Sequence, residues 1–125
     1  MILVDTSVWV DHLRRGDSRL ADLLDRSLVL MHPFVIGEIA CGTLADRKAV
    51  LEHLRLLPAT VGADDDEALA FIERHRLSGK GLGYIDVHLL AAVALTQGAR
   101  LWTRDKRLHV IAGELALSMR APEAH

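Results

Sequence analysis

The chain has 125 residues, 50% of them hydrophobic and 26% charged, with a formal net charge of −2, which fits one soluble globular domain over residues 1–125 and excludes a broadly basic nucleic-acid-binding surface. Aromatic residues at 4% are too few for a base-stacking platform, and the longest apolar stretch, Leu28 to Gly42, is interrupted by His32, Pro33 and Glu38, so no membrane-spanning segment is expected. Cys41 has no second cysteine to pair with, and no basic segment precedes the first apolar run, so the chain reads as cytoplasmic.

Ile2, Leu3 and Val4 form a short apolar run of the kind that makes a buried central strand in a parallel sheet. It stops at Asp5, and Thr6 and Ser7 open a helix to about Arg15, ended by Gly16. A second helix, capped by Asp17 or Ser18, runs to about Arg26 with Leu20, Leu23 and Leu24 as its apolar stripe. Leu28 to Met31 is a second buried strand, broken by His32-Pro33. A third helix is predicted from Pro33 to Leu44 and a fourth from Asp46 to Leu57, stopped by Pro58, with a short extended piece over Ala59 to Gly62.

Asp64 with Glu67 three residues on is a capping box, so the acidic run Asp64 to Glu67 reads as the start of a fifth helix rather than as a metal site. Gly79, Gly81 and Gly83 form a loop. Gly79-Lys80-Gly81 is no phosphate loop, because no strand precedes it and no Ser or Thr follows the lysine. Tyr84 to Gln97 is a strongly apolar sixth helix. Ala99 to Thr103 is a third strand, Asp105 caps a last helix to about Ile111, and Leu115 to Met119 is a fourth strand. Strands alternating with helices predict an α/β fold with a parallel sheet. Cys41 reads as a core thiol, Trp9 and Trp102 as packing residues, and the seven histidines show no metal-ligand spacing.

Asp5 and Asp105 both follow a strand directly, at the carboxyl edge where open α/β sheets bind ligands. Glu38 and Asp86 fall on helix faces whose neighbours are apolar, Phe34, Val35, Cys41 and Gly42 for the first and Leu82, Leu89 and Leu90 for the second. Each acid taken alone has a simpler reading as a helix cap, a dipole partner or a rim residue. Taken together they converge on one cleft, where like charges raise one another's pKa values unless a cation is present. The donors are all oxygens, which favours Mg²⁺ or Mn²⁺ over Zn²⁺. Arg104, Lys106 and Arg107 beside Asp105 either hold flanking phosphates or form a solvated helix face.

These residues carry a resemblance. The order D-T-S at Asp5, I-G-E-I-A-C-G around Glu38, Y-I-D-V-H-L-L-A-A around Asp86 and W-T-R-D-K-R-L around Asp105 resembles the PIN-domain ribonucleases, and more narrowly the VapC-type toxins of bacterial toxin–antitoxin pairs, over nearly the whole chain. The resemblance implies a PIN-like three-layer α/β fold with a short, mostly parallel central sheet flanked by helices. It implies that Asp5, Glu38, Asp86 and Asp105 are the catalytic, metal-binding set, with Ser7 and Thr103 supporting them. It further implies Mg²⁺- or Mn²⁺-dependent endonucleolytic cleavage of RNA, a cognate antitoxin whose C-terminal segment covers the site, and a homodimer. Two rivals follow from the residues. An aspartyl-nucleophile phosphatase would want a second Asp where Ser7 stands. A non-catalytic α/β interaction module would leave Glu38 and Asp86 unexplained.

Overall fold

The structure, a computed structural model, describes residues 1–119. Strand β1 (Ile2–Val4) is wholly buried and lies in the middle of a three-stranded parallel sheet, between β2 (Val29–Leu30) and β3 (Arg100–Trp102). Ile2 faces Val29 on one side and Arg100 on the other, and Val4 faces Trp102. A strand paired on both edges and covered on both faces must be apolar throughout, which is why the run Ile2-Leu3-Val4 carries no alternation.

Seven helices are seen among the described residues: α1 (Thr6–Arg15), α2 (Ser18–Asp25), α3 (Pro33–Ala40), α4 (Arg47–Arg55), α5 (Asp65–His75), α6 (Tyr84–Leu95) and α7 (Lys106–Glu114). Their ends follow the local chemistry. The Asp17 carboxylate accepts the backbone N–H groups of Arg19 and Leu20 and starts α2. The expected capping box opens α5, with Asp64 accepting from the Glu67 N–H at 2.7 Å and Glu67 accepting from the Asp64 N–H at 3.1 Å. His32 caps α3 through Nδ1, 3.0 Å from the Phe34 N–H, and Pro33 takes the first helical position, where its missing donor does no harm. Leu3, Val8, Leu20, Val35, Leu89, Leu90, Leu101 and Leu108 are fully enclosed between sheet and helices.

Several expected boundaries move. Helix α3 ends at Ala40 rather than Leu44, because Cys41-Gly42 turns the chain away before α4. Cys41 is exposed, not a core thiol. Helix α6 stops at Leu95, where Thr96 turns its hydroxyl back onto the Ala92 carbonyl at 2.7 Å. The predicted fourth strand at Leu115 to Met119 is a single parallel bridge between Leu101 and Ser118, and α7 extends to Glu114 in its place. The extended piece after Pro58 likewise makes one parallel bridge, Met31 to Ala59.

Chain direction decides where a crevice opens. The chain leaves β1 toward β2 on one side, whereas it leaves β3 toward the Ser118 bridge on the other. The carboxyl ends of β1 and β3 therefore flank the point at which the connections part, the usual position of a ligand cleft. No helix among the described residues is long and apolar enough to cross a membrane.

Candidate active site

Asp5 is placed by the end of β1. Its backbone N–H is bound to the Trp102 carbonyl at 2.9 Å, so the β1–β3 pairing fixes its Cα. It occupies the N-cap position of α1, yet its side chain makes no capping hydrogen bond. Instead Oδ2 accepts from Thr103 Oγ1 at 2.7 Å and from Ser7 Oγ at 2.9 Å. Asp5 is 7% exposed and Thr103 6%, so a buried carboxylate is held by two hydroxyls, the arrangement such a charge requires. The simpler reading of Asp5 as a helix cap does not apply.

Asp105 behaves differently. Its Oδ1 accepts the Leu108 N–H at 3.0 Å and caps α7, while its own N–H binds Thr103 Oγ1 at 3.1 Å. Thr103 thus bridges the two strand-end acids. Asp86 stands in the first turn of α6, half-buried, with Oδ2 3.3 Å from the Gly83 N–H.

Glu38 corrects an expectation. Its side of α3, with Phe34, Cys41 and Gly42, is exposed, and the core face is Val35 and Ile39. Glu38 is nevertheless held toward the site, because Thr6 Oγ1 donates to its Oε1 at 2.7 Å. Thr6 is a residue that sequence reasoning missed. Beside two other polar residues it read as part of a helix start.

Electrostatics shows which acids share a field. Burial raises the Asp86 pKa, the Gly83 N–H pulls it down, and the negative charges of Asp5, Asp105 and Glu38 each push it up, leaving it above the ordinary carboxylate value. The charges of Asp5, Asp105 and Glu38 thus all act on Asp86, and Thr103 joins Asp5 to Asp105. Among the described residues, no three His, Cys, Asp or Glu side chains close into a ready-made metal cage. The donor chemistry is hard oxygen only, spread around a cleft. That suits a cation which keeps much of its water, as Mg²⁺ does, and not a tightly enclosed Zn²⁺.

Arg104 is already engaged. Its guanidinium pairs with both Asp11 and Asp17 and lies 5.7 Å from the centre of the Trp102 ring, with Arg19 5.9 Å from the same ring. Its backbone N–H donates to Ser7 Oγ at 3.0 Å. Partial burial raises the Asp17 pKa, but the Leu20 N–H and the Arg104 guanidinium outweigh it and hold the carboxyl below its ordinary value. Of the two expectations for Arg104, a phosphate contact or a solvated helix face, the structure shows neither directly; the guanidinium is paired within the chain, beside the turn that carries Thr103 and Asp105. Lys106 and Arg107 remain on the exposed surface of α7.

His88 belongs to a separate group. Two residues from Asp86, it leaves α6 on another face and is 3% exposed. Its Nε2 lies 3.2 Å from Asp65 Oδ1, which also accepts from the Tyr84 hydroxyl at 2.7 Å. The rings of Phe34 and Tyr84 pack edge-on against it. His32 is buried nearby; burial, then the charge of His88, lowers its pKa, in keeping with the Nδ1 acceptor role at the α3 cap.

The PIN domain family model matches residues 2–114. Ribonuclease VapC32 of Mycobacterium tuberculosis is 48% identical over 119 residues, covering 95% of this chain and 96% of that protein. Ribonuclease VapC11 of the same species is 35% identical over 123 residues, covering 90% and 92%. The VapC ribonuclease Mb1587 of Mycobacterium bovis gives the same figures. With a match spanning residues 2–114 and a relative identical at nearly half of the aligned positions, the chain belongs to the PIN-domain family and, within it, to the VapC-type ribonucleases.

Proposed function

We propose that the chain is a metal-dependent endoribonuclease and the toxin of a toxin–antitoxin pair, working as a single catalytic domain in the cytoplasm. The names of its relatives support RNA as the substrate. The observation that supports the site assignment is geometric: Asp5 and Asp105, at the ends of β1 and β3, are joined through the Thr103 hydroxyl, and their charges together with that of Glu38 act on the half-buried Asp86. Such a cluster is an unfavourable way to build a cap or a surface and a good way to attract a divalent cation.

Asp5, Glu38, Asp86 and Asp105 would hold Mg²⁺ or Mn²⁺. When bound, that ion supplies charge neutralisation at the phosphate and activates water for in-line attack. The chain's own contributions can be stated residue by residue. Ser7 and Thr103 fix Asp5 Oδ2, so the second oxygen is aimed without rotation. Thr6 fixes one oxygen of Glu38 and leaves the other to orient the attacking water and take its proton. Asp105 presents one oxygen to the cleft while the other stays on the α7 cap. Asp86 holds a proton more readily than an ordinary carboxyl until positive charge arrives.

The proposed partners are the RNA substrate, a cognate antitoxin that covers the acids, and a second copy of the chain in a homodimer. The test is cleavage of a tRNA pool by the purified chain with Mg²⁺ or Mn²⁺, repeated after EDTA and with Asp5→Asn and Asp86→Asn. Cleavage that needs the ion and is lost in both variants is the expected result. Undiminished cleavage by Asp5→Asn refutes the scheme.

A further inference from the structure

A nuclease must lead its substrate strand away from the acids, and basic side chains stand on two sides of Asp105. On one side Arg104 is closed off by Asp11 and Asp17. On the other, α7 and Lys80 border a shallow, open groove of about 440 Å³. Val110 and Ile111 form its apolar floor, with Val110 56% exposed. Lys80, Lys106 and Arg107 line it, and Glu114 stands at the far end of α7. Among the described residues none of these three cations has a carboxylate within ion-pair distance, so a chain of net charge −2 concentrates unneutralised positive charge here.

The loop is shaped to this end. Gly81 has φ +80°, and a Cβ there would stand 2.6 Å from Arg107 Nη1. The positive φ favours glycine at this position, and its missing side chain leaves the Arg107 guanidinium room to lie against the loop that carries Lys80. The groove starts at Lys106 and Arg107 in the first turn of α7, directly after Asp105, the residue that caps that helix.

We propose that this groove is a nucleotide subsite for the RNA strand: Lys80, Lys106 and Arg107 hold phosphates flanking the scissile bond, and Val110 carries the ribose or base between them. The proposal rests on the nuclease reading and gives it a direction, since the strand runs along α7 and not past Arg104. Contacts of this kind fix position without reading sequence. Each phosphate contact to a single strand contributes a slope of roughly 0.7 to the dependence of log K on log salt.

The test is fluorescence anisotropy of a labelled single-stranded RNA across a salt series, with Asp5→Asn in every protein and the RNA checked for integrity on a gel afterwards. Lys80→Gln/Lys106→Gln is compared with Lys48→Gln/Arg55→Gln, which removes the same charge from exposed positions on α4. Matching thermal melts establish that both are folded. The groove variant should weaken binding about tenfold or more at low salt and lose about 1.4 of the salt slope, while the α4 variant stays within about twofold of its parent. Val110→Ala should weaken binding with the slope unchanged. Equal affinity and slope in the groove and α4 variants would overturn the subsite and leave the nuclease reading standing. If the parent binds no RNA at any salt, both fall. If the groove variant binds RNA normally but loses a co-expressed protein partner, the surface is a protein interface and the proposal is wrong.

Discussion

Replacing Thr103 with valine keeps the shape of a buried side chain and removes its hydroxyl. In the folded chain that hydroxyl donates to Asp5 Oδ2 at 2.7 Å and accepts the Asp105 N–H at 3.1 Å. A hydrogen bond to a charged group contributes about 1.5–3 kcal/mol, and one between neutral groups about 0.5–1.5 kcal/mol. Ser7 still donates to Asp5, and Asp105 is exposed enough for water to replace much of its lost partner. The loss should therefore be about 2–3 kcal/mol. A chain of this length lies between the small and mid-sized domains for which 1 kcal/mol moves the melting temperature by about 4–8 °C and 2–4 °C, so Tm should fall by roughly 8–12 °C. Thr103→Ser, which keeps the hydroxyl, should recover most of it. Calorimetry at neutral pH without metal measures both. A Thr103→Val chain melting within about 2 °C of wild type, or a Thr103→Ser chain melting as low as Thr103→Val, would refute the claim that this hydroxyl holds Asp5. A double-mutant cycle with Ser7→Ala sharpens the test. Two donors on one oxygen should couple by about 0.5 kcal/mol or more, and strict additivity would mean that they act separately.

Asp86→Asn should raise the melting temperature of the metal-free chain at pH 8 and have little effect near pH 3. The folded pKa of Asp86 is raised, so its ionised form costs stability above that pKa, and the cost fades as the pH falls through it. Asp17 has the opposite sign. Its folded pKa is lowered, so its contribution is present above the ordinary carboxylate value and disappears as the pH falls through the folded one; the gap between wild type and Asp17→Asn should narrow in acid. Mn²⁺ at about a hundredfold excess over its Kd should add about 2.7 kcal/mol of stability to wild type and much less to Asp5→Asn, read by thermal melting. Arg104→Ala should lower the melting temperature and the cleavage rate while leaving the salt dependence of RNA binding unchanged, since its charge is neutralised inside the chain. A fall in salt slope would return Arg104 to the substrate surface.

The parts of the fold legible in the sequence were those set by one dominant local effect. An unbroken apolar tripeptide admits only a buried strand, and Asp64 with Glu67 closes its box within four residues. The strand-end position of Asp5 was likewise readable, because the apolar run stops on it. What could not be read were pairings set by distance along the chain. Arg104 meets Asp11 and Asp17 across more than eighty residues, whereas in the sequence it was one of three basic neighbours that suited flanking phosphates and a solvated helix face alike. The fourth strand failed for the opposite reason. Leu115 to Met119 has a strand's composition, but α7 runs to Glu114 and Leu115 and Ala116 turn out of the helix, so within the described residues only Ser118 bridges to Leu101. Glu38 was placed on a core face because its neighbours are apolar, although on an eight-residue helix only the Val35–Ile39 side reaches the core.

The two strand-end aspartates show how the fold separates stability from chemistry. Asp105 caps its helix and contributes to the cleft with what is left over. Asp5 stands at an equivalent cap position and declines the cap, a choice that forgoes about 0.5–2 kcal/mol of helix stability. The N–H groups at the start of α1 lose a partner so that the carboxylate can turn to Ser7 and Thr103. Asp86 adds a second cost, an acid kept half-buried in the field of three others. Local rules broken twice within one cleft, in a chain that obeys them at α2, α3 and α5, mark the place where sequence has been shaped for something other than folding. Positive charge at the mouth of the β1–β3 crevice would offset the second cost directly, and the first is the consequence of turning Asp5 toward the same place. Folding stability and cation binding should therefore be linked in this chain, with the acids least comfortable in the empty site being those that gain most when it fills.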